Sequence, residues 1–253
     1  MKILRIIILG YLLTIVSISY GSLPNARTIY ITSDDGPLPG TKNLINVMLK
    51  TKTPITLFMV GLHYDNAKQD VRNFISTARK SPLIDVGNHS YTHAHNHYRY
   101  FYHHCSDVIQ DLKKNNITLG LKGDHIITRL PGRDVFRTPK LKKDDPYITK
   151  AEDIVETIDD DAIYKNGFYI FGWDLEWAHN IHGKPIQSVT HLVQEIEDKF
   201  NAGNTILPNK LILLMHDEMF QEQFNGPEQL QQLITKLHKK GYKFDLIKNY
   251  LRN

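Results

Sequence analysis

The sequence predicts an α/β fold in which a mostly parallel sheet is wrapped by helices. Strand-like and helix-like patterns alternate along the chain from residue 28 onward. Residues 211–215 form a continuous apolar run bounded by polar residues, which is typical of a buried parallel strand. Charged motifs follow the predicted strands directly. Because reactive groups of such folds gather at the carboxyl ends of the strands, these motifs indicate where a site is expected.

The elements follow from hydrophobic periodicity and from turn residues. Strands are predicted at residues 28–33, 55–60, 83–86, 167–173 and 211–215, with a strand leading into a loop at 126–137 and a closing strand at 244–247. Helices are predicted at residues 41–50, 66–79, 107–115, 187–200 and 227–239. The charged stretch 140–161 is predicted to be a surface loop with a short helix, not a domain boundary.

Length and composition limit the function classes. The chain of 253 residues is long enough for one sizeable domain with its own core. A formal net charge of +4 is too weak to indicate a nucleic-acid partner. Cys105 is the only cysteine, so an intramolecular disulfide is impossible and the fold depends on its core.

The N-terminus has the layout of a secretory signal peptide. Lys2 and Arg5 give a positive start, residues 6–16 are apolar, and Ser19 and Gly21 occupy small-residue positions suited to cleavage. The apolar run is short for a bilayer span, which needs about 20 residues. Retention as an uncleaved anchor is the alternative.

This layout predicts a signal peptide at residues 1–21 and a single catalytic domain at residues 22–253. We therefore expect an exported protein, periplasmic or secreted, with no stable membrane span after cleavage. The sequence does not indicate an oligomeric state.

Two adjacent carboxylates, Asp34 and Asp35, end the first predicted strand and are followed by Gly36 and Pro37. Neighbouring side chains of an extended backbone point to opposite sides. One carboxylate can therefore face a metal while the other faces a reacting water. The alternative is a solvated Asp-Asp-Gly turn.

His89 and His93 follow the third predicted strand and are four residues apart. In a helical turn, that spacing places both imidazoles on one face, where they can bind one metal ion. Further histidines follow in the same segment, at positions 95, 97, 103 and 104. A solvent-exposed histidine-rich tract is therefore the alternative.

Three more polar motifs accompany predicted strands. His216 follows the apolar run 211–215, a suitable position for a general acid or base, or for a capping residue. Asp174 and Glu176 lie between two tryptophans, and Arg129 begins a turn rich in charge. One Asp and two His supply three oxygen or nitrogen ligands, the open-sided set of a catalytic divalent metal. With a spare base and a spare acid, such a set can hydrolyse an amide or an ester.

In this order, the motifs resemble those of the polysaccharide deacetylase family, carbohydrate esterase family 4, with its NodB-homology domain. The resemblance covers residues 28–251. It is carried by Thr-x-Asp-Asp-Gly-Pro, His-Ser-x-x-His, Arg-x-Pro, an acidic-Trp motif and Leu-x-His-Asp, which begin at residues 32, 89, 129, 173 and 214. It implies a distorted (β/α) barrel with mostly parallel strands, and removal of N-acetyl groups from the amino sugars of a polysaccharide.

The resemblance also implies roles for individual residues. The implied catalytic residues are Asp34 as general base, Arg129 as its ion-pair partner, His216 as general acid, and Asp174, or else Glu176, as support for His216. The implied metal ligands are Asp35, His89 and His93, with zinc the first choice and cobalt or manganese also suitable. The implied substrate-binding residues are Leu214 beside the acetyl methyl, Trp173 and Trp177 as apolar walls, and Tyr91, near which a backbone N–H stabilises the oxyanion.

Three positions depart from the family pattern. Ser33 stands where a phenylalanine is usual. The acidic-Trp motif is compressed to Trp-Asp-Leu-Glu-Trp, which leaves the carboxylate behind the acid undecided. Gly132 and Arg133 follow the Arg-x-Pro motif, where an aromatic residue is frequent.

The partner implied by the resemblance is an N-acetylated glycan, which can be peptidoglycan, a chitin-like chain or an exopolysaccharide. Aromatic residues at positions 98 and 100–102 are available for sugar stacking or for core packing. The alternatives are another metal-dependent carbohydrate-active or phosphodiester hydrolase, and a non-catalytic glycan-binding module. A phosphodiester hydrolase would be expected to show ligands for a second metal.

Overall fold

The computed structural model describes residues 26–146 and 159–252. The predicted signal segment lies outside the described residues, as does much of the stretch 140–161. The strands of the described part form one sheet and are β1 (Thr28–Gly36), β2 (Ile55–Met59), β3 (Ile84–Asn88), β4 (Ile126–Thr128), β5 (Phe136–Thr138), β6 (Leu141–Lys143), β7 (Phe168–Ile170), β8 (Leu175–Glu176), β9 (Lys210–His216) and β10 (Lys243–Phe244).

Helices connect most of these strands. They are α1 (Thr41–Thr51), α2 (Gly61–Asn66), α3 (Gln69–Ala78), α4 (Tyr98–Tyr102), α5 (Cys105–Leu119), α6 (Asp160–Lys165), α7 (Val189–Asn201) and α8 (Gly226–Lys239). Short 3₁₀ turns occupy His93–Asn96, Asp217–Phe220, Glu222–Phe224 and Ile247–Asn249. None of the helices in the described part of the chain has the length and apolarity needed to cross a bilayer.

The sheet order is β6-β5-β7-β4-β3-β2-β1-β9-β8, and β10 pairs with β1. All pairs along β4-β3-β2-β1-β9-β8 are parallel, whereas β5 is antiparallel to β6 and β7. The predicted α/β class with mostly parallel strands is confirmed. The predicted distorted barrel takes the form of a curled half-barrel.

Alternation along β1 separates the core from the site. Ile29 and Ile31 pack into the large cluster that also contains the buried faces of α1, α7 and α8. Tyr30 belongs to a separate cluster on the inner face of the curled sheet. Because successive side chains of a strand point to opposite faces, Asp34 lies on the same inner side as Tyr30.

The same alternation operates on β9. Leu211 and Leu213 belong to the outer cluster and Ile212 to the inner one. His216 therefore shares the inner side with Ile212. In the parallel pairing of β1 with β9, Asp34 lies directly opposite His216. The register of two buried strands thus brings the two residues together.

Most predicted elements are present, with some differences. The described part of the stretch 140–161, predicted as a loop with a short helix, contains strand β6, and the closing strand predicted at 244–247 is limited to β10 and followed by a 3₁₀ turn. Two further differences concern segmentation. The predicted helix 66–79 is two helices, α2 and α3, because Ala67 and Lys68 between them have extended backbone angles. The predicted strand 126–137 is divided into β4 and the start of β5 by a loop that carries Arg129.

Candidate active site

Asp34 is buried at the end of β1 and is held by Arg129. The Arg129 guanidinium donates from Nη1 to Asp34 Oδ1 at 2.9 Å and to Thr32 Oγ1 at 2.8 Å. It also donates to the carbonyl oxygens of Phe171 and Gly172 at 3.1 and 2.8 Å. A fully buried guanidinium with all these acceptors is a fixed positive charge. The ion pair expected between Arg129 and Asp34 is thus present.

Asp35 leaves the extended conformation, with φ of 70°. This left-handed conformation is uncommon outside glycine, and aspartate is among the residues that tolerate it. Its carbonyl oxygen lies 2.6 Å from Nδ1 of His63, a contact that the sequence analysis missed. The simple expectation that the two carboxylates point to opposite sides is wrong, because both reach the ring of His89, from 3.6 Å for Asp34 and 3.2 Å for Asp35.

His89 and His93 are brought together by a loop, not by a helix. His89 follows β3 directly, Ser90 has a φ of 62°, and His93 has a φ of 52° at the start of a 3₁₀ turn. Ser90 Oγ accepts a hydrogen bond from the His93 backbone N–H at 2.9 Å. The ring centroids are 5.2 Å apart. The expected neighbourhood of the two rings is present, but the helical explanation for it is wrong.

The predicted metal ligands converge on one point. Asp35 Oδ1 lies 3.2 Å from His89 Nε2 and 3.0 Å from His93 Nε2. The three ligand atoms lie within 4.8 Å of one another, which makes this the cluster of metal-binding type found in the described residues. The three atoms are on one face of a single cluster, as the ligands of one cation must be.

Hydrogen bonding indicates that this cluster fits a cation. His89 Nδ1 lies 2.8 Å from the Arg129 carbonyl oxygen, which can only accept, so Nδ1 carries the proton. When the ring is neutral, Nε2 presents a lone pair to Asp35 Oδ1, which is buried and then has no hydrogen-bond donor. Lone pairs this close repel unless a positive charge lies between them. Donation of the outer nitrogen to a backbone carbonyl is the usual support of a metal-binding histidine.

The charges within the cluster shift its pKa values. Burial by itself would raise the pKa of Asp35, but protonated imidazoles of His89 and His93, 3.2 and 3.0 Å from Oδ1, would donate to it and hold its pKa well below the usual range. For His89, burial would lower the pKa, and the two neighbouring carboxylates raise it above its usual value. The negative charge of Asp34 and Asp35 thus favours a positive charge at Nε2 of His89, which either a proton or a bound cation can supply.

His216 ends β9 directly opposite Asp34. Its Nδ1 is buried without a hydrogen-bond partner, and Glu176 Oε1 is the facing carboxylate at 4.0 Å. The ring of His179 packs edge-on against it, with centroids 4.7 Å apart. The sequence analysis did not predict this contact, because His179 lies in a loop between predicted elements, where no residue pattern pointed to it. Glu176 is thus the acidic residue that the structure brings to His216.

The assignment of Asp174 as support for His216 is wrong. Its two carboxylate oxygens accept hydrogen bonds from the backbone N–H groups of Ile206 and Ile212, at 2.6 and 2.7 Å. Burial raises the pKa of Asp174 to about 6. Asp174 therefore anchors the segment that leads into β9, away from His216. Asp174 precedes β8, whereas Glu176 lies within it beside Leu214, and of the two carboxylates Glu176 is the one that faces His216.

A pair of substitutions separates these two carboxylates. Asp174→Ala is expected to lower the free energy of unfolding by about 2 kcal/mol, because two backbone donors lose their acceptor, with kcat close to wild type. Glu176→Gln is expected to lower kcat about 10- to 100-fold, as outer partners of a site histidine do, with the melting temperature unchanged. Urea unfolding and acetate-release rates measure both. The reverse pattern would return the supporting role to Asp174.

The tryptophans of the same motif have different environments. Trp177 is fully buried in the outer core, where it packs on Phe220 and donates from Nε1 to the Gln187 carbonyl oxygen at 3.0 Å. The expectation that Trp177 forms a wall of the substrate site is therefore wrong. Trp173 is half-buried and lies 5.7 Å from the Arg129 guanidinium, on the side of the site.

Leu214 occupies the inner side of β9 beside the site. It is opposite Thr32 on one neighbouring strand and opposite Glu176 on the other. It is almost fully buried, with 3% of its surface exposed. Leu214 thus lies between Thr32 and Glu176, two residues before His216 on the same side of β9, where it can contact a small apolar group of a substrate.

The backbone N–H groups near Tyr91 are already engaged. Those of Tyr91 and Thr92 both donate to Asp111 Oδ2, at 2.7 and 3.3 Å. The Tyr91 hydroxyl donates to Asp65 at 3.0 Å, so the side chain is turned toward α2. The prediction that an N–H at this position stabilises the oxyanion is therefore wrong. Asp111 lies in the middle of a predicted helix, and nothing in the sequence pattern pointed to its contact with these N–H groups.

The histidine-rich tract that follows His93 is a surface feature. Phe101 and Tyr102 are buried and belong to a core cluster. Tyr98 and Tyr100 are 38% and 70% exposed, and the Tyr98 ring lies 5.8 Å from that of His93. A cavity of about 820 Å³ beside them is lined by His95, His97, Tyr98, Arg99, Tyr100 and His103. Of the aromatics considered for sugar stacking, two are therefore core residues and two remain available.

Asp217, next to His216, is a buried residue to which the sequence analysis gave no role of its own. Its carboxylate accepts a hydrogen bond from Ser33 Oγ at 2.5 Å and makes a very short contact with Thr41 Oγ1. Burial raises the pKa of Asp217 to about 7. Ser33, the departure from the family pattern, thus has a defined polar partner.

Comparison with known proteins assigns the chain to a family. The polysaccharide deacetylase family model matches residues 22–154, more than half of the chain. Over 226 residues the chain is 27% identical to Bacillus subtilis YheN, itself assigned as a polysaccharide deacetylase, covering 88% of this chain and 68% of that protein. It is 23% identical, over an alignment of 316 positions, to the chitin disaccharide deacetylase of Vibrio alginolyticus. This alignment covers 89% of this chain and 72% of that protein.

Solved structures support the fold. The catalytic domain of peptidoglycan N-acetylglucosamine deacetylase from Eubacterium rectale ATCC 33656 superposes with a TM-score of 0.61 at 24% identity, covering 89% of this chain and 90% of that one. A Streptococcus mutans CE4 esterase gives a TM-score of 0.61 at 18% identity, covering 88% and 86%. The family match and the shared fold lead to one conclusion: this chain belongs to the polysaccharide deacetylase family and is a polysaccharide deacetylase.

Proposed function

We propose that the enzyme hydrolyses the N-acetyl groups of amino sugars in a glycan chain, releases acetate, and depends on one divalent cation held by Asp35, His89 and His93. The observation that carries this proposal is the pairing of Asp34 with His216 at opposed positions of β1 and β9, with Asp34 Oδ2 3.6 Å from Nε2 of His89 in that cluster. A proton acceptor and a proton donor that flank a cation pocket are the requirements for amide hydrolysis.

Asp34 is suited to the role of base. Its Oδ1 is occupied by Arg129, whereas Oδ2 is turned toward His89 and the cluster. Oδ2 can therefore accept the proton of a water as the water oxygen attacks the acetyl carbon. A bound divalent cation would polarise the acetyl carbonyl and make this water more acidic. The buried Arg129 keeps the carboxylate in one orientation throughout.

His216 is suited to the role of acid. Its Nδ1 is buried and faces Glu176, which leaves Nε2 as the nitrogen for the substrate. Nε2 can donate a proton to the amide nitrogen as its bond to the acetyl carbon breaks. The sugar then leaves as a free amine, and the acetyl group leaves as acetate.

The identity of the metal and the location of the protein are parts of the proposal. Two imidazoles and one carboxylate are a ligand set that zinc prefers, and that cobalt and manganese also accept. Export is proposed from the signal-like pattern of residues 1–21, which lie outside the described part. The mass of the mature N-terminus, measured on protein recovered from cells, would show whether the segment is cleaved before Ser22.

The substrate class follows from the relatives and from the surface beside the site. Relatives are named as acting on chitin disaccharide and on peptidoglycan N-acetylglucosamine. The exposed ring of Tyr98 lies beside His93, and that of Tyr100 lines the same cavity, so both offer faces on which pyranose rings can stack. We therefore propose a glycan of N-acetylated hexosamines, longer than one sugar.

Acetate release tests this proposal. Protein treated with chelator and then supplied with zinc, cobalt or manganese would be incubated with acetylated chitooligosaccharides, peptidoglycan and an acetylated exopolysaccharide. We expect metal-dependent release from at least one of these. An aryl phosphodiester serves as the control substrate for the competing hydrolase class. Activity on the phosphodiester alone, or acetate release that chelation leaves unchanged, would contradict the proposal.

A further inference from the structure

Asp217 is a buried carboxylate at the junction of β1, α1 and β9. It is fully buried, and its hydrogen-bond partners among the described residues are two hydroxyl groups and not a cation. Ser33 Oγ donates to one carboxylate oxygen from the outer face of β1, and Thr41 Oγ1, in the first turn of α1, contacts the other. Burial of a carboxylate whose partners are neutral hydroxyl groups costs folding free energy, so we expect this residue to have a role that compensates for the cost.

The turn that carries the paired aspartates is shaped around Asp217. A Cβ atom placed on Gly36 would collide with the Asp217 carboxylate, and one placed on Gly40 would collide with its carbonyl oxygen. The chain therefore passes Asp217 twice at a distance that only glycine permits. Thr41 is fixed in turn by Leu38, whose backbone N–H donates to Thr41 Oγ1 at 2.8 Å.

This arrangement connects the two proposed proton-transfer residues through the outer side of the sheet. Ser33 immediately precedes Asp34, and Asp217 immediately follows His216. The hydrogen bond between Ser33 and Asp217 therefore joins the ends of β1 and β9 at the point where Asp34 and His216 project to the inner side.

We propose that Asp217 is a positioning residue, which through Ser33 and Thr41 fixes the Asp34–Gly36 turn relative to His216. This inference rests on the proposed function of Asp34 and His216. It also accounts for Ser33, because the phenylalanine usual at that position in the family has no hydroxyl to donate. The same turn contains Asp35, so the arrangement of the cation ligands depends on Asp217 as well.

Three substitutions test the role. Asp217→Leu removes both hydroxyl contacts and is expected to lower kcat about 10- to 100-fold, the effect of a small misplacement of reacting groups, with KM within about 2-fold. Asp217→Asn keeps the shape, accepts from Ser33 and donates to Thr41, and is expected to restore kcat to within about 3-fold of wild type. Ser33→Ala loses one hydrogen bond and is expected to lower kcat about 3- to 10-fold, which provides a milder variant if the leucine protein does not fold.

Two controls separate positioning from general stability. Thr56→Val removes a buried hydroxyl that accepts the Ile247 N–H at 3.2 Å, near the amino ends of the strands; it should lower the melting temperature but not kcat. When Asp34 is already replaced by asparagine, adding Asp217→Leu should lower kcat by less than about a further 2-fold, because the effects of substitutions at residues that act as a unit are not additive. Equal kcat losses in Thr56→Val and Asp217→Leu, or additive losses with Asp34→Asn, would overturn the inference.

A readout independent of turnover distinguishes this inference from the proposed function. Titration of cobalt into the metal-free protein is expected to give a Kd about 10-fold weaker for Asp217→Leu, but unchanged for Asp217→Asn, because Asp35 lies in the positioned turn. If the wild type released no acetate, the proposed function would fail while this binding test still decided the positioning role. Full activity and unchanged cobalt affinity in both Asp217→Leu and Ser33→Ala would refute the positioning role alone.

Discussion

Replacement of Asp34 by asparagine is expected to lower kcat about 10³-fold, within the range that general-base catalysis contributes, and to leave metal affinity unchanged. The amide oxygen of asparagine can still accept the hydrogen bond that Arg129 now donates to Asp34 Oδ1. The amide has no carboxylate oxygen to take the proton of the attacking water. The three metal ligands are on other residues, so the cation pocket remains. Initial rates of acetate release and calorimetric titration of zinc measure the two effects.

Asp70→Asn is the matched control for this substitution. Asp70 is an exposed carboxylate on α3 that pairs with Lys42 at 3.2 Å and belongs to neither the proposed ligand set nor the proposed acid-base pair. Its replacement is expected to leave both kcat and zinc affinity unchanged, since exposed pairs contribute little. Normal turnover of Asp34→Asn would show that another group takes the proton, and loss of zinc would show that Asp34 is itself a ligand.

The parts of the site that the sequence predicts are those fixed by strand alternation. The apolar run 211–215 and the strand 28–33 are recognisable because both are buried, and their ends carry His216 and Asp34. Once two parallel strands are adjacent, the side-chain period of two dictates that these residues share a face. The fold class and the approximate place of the site follow from such repeating patterns, which a sequence displays directly.

The parts that were missed depend on single backbone conformations and on distant partners. The left-handed angles of Asp35 and His93 have no periodic signal, so the loop that joins the ligands could not be derived from spacing. Trp177 is buried because α7 and the turn after β9 cover it, a packing outcome that a short motif does not contain. Asp174 and Glu176 are both acidic, and only the tertiary positions of the Ile206 and Ile212 amides decide between them.

Removal of His89, the buried histidine of the proposed ligand set, is expected to have the largest effect on metal binding. His89→Ala leaves only Asp35 and His93, and it deletes a ring that is anchored on the Arg129 carbonyl oxygen. Since the loss of an outer partner of a ligand costs 10- to 100-fold in affinity, the loss of the ligand itself is expected to exceed about 100-fold. Calorimetric titration of zinc into chelator-treated protein measures this change.

Thermal unfolding provides a second measure of the same prediction. A cation that binds only the folded chain raises the melting temperature in proportion to the logarithm of its concentration over Kd. Zinc should therefore stabilise the wild type and His95→Ala, whose exposed imidazole lies in the same tract but outside the cluster. His89→Ala should show no such shift at the same zinc concentration. An equal zinc-induced shift of the melting temperature in His89→Ala and His95→Ala would mean that the cation binds elsewhere. The proposed base Asp34 and the proposed acid His216 would then have no cation beside them to polarise the acetyl carbonyl.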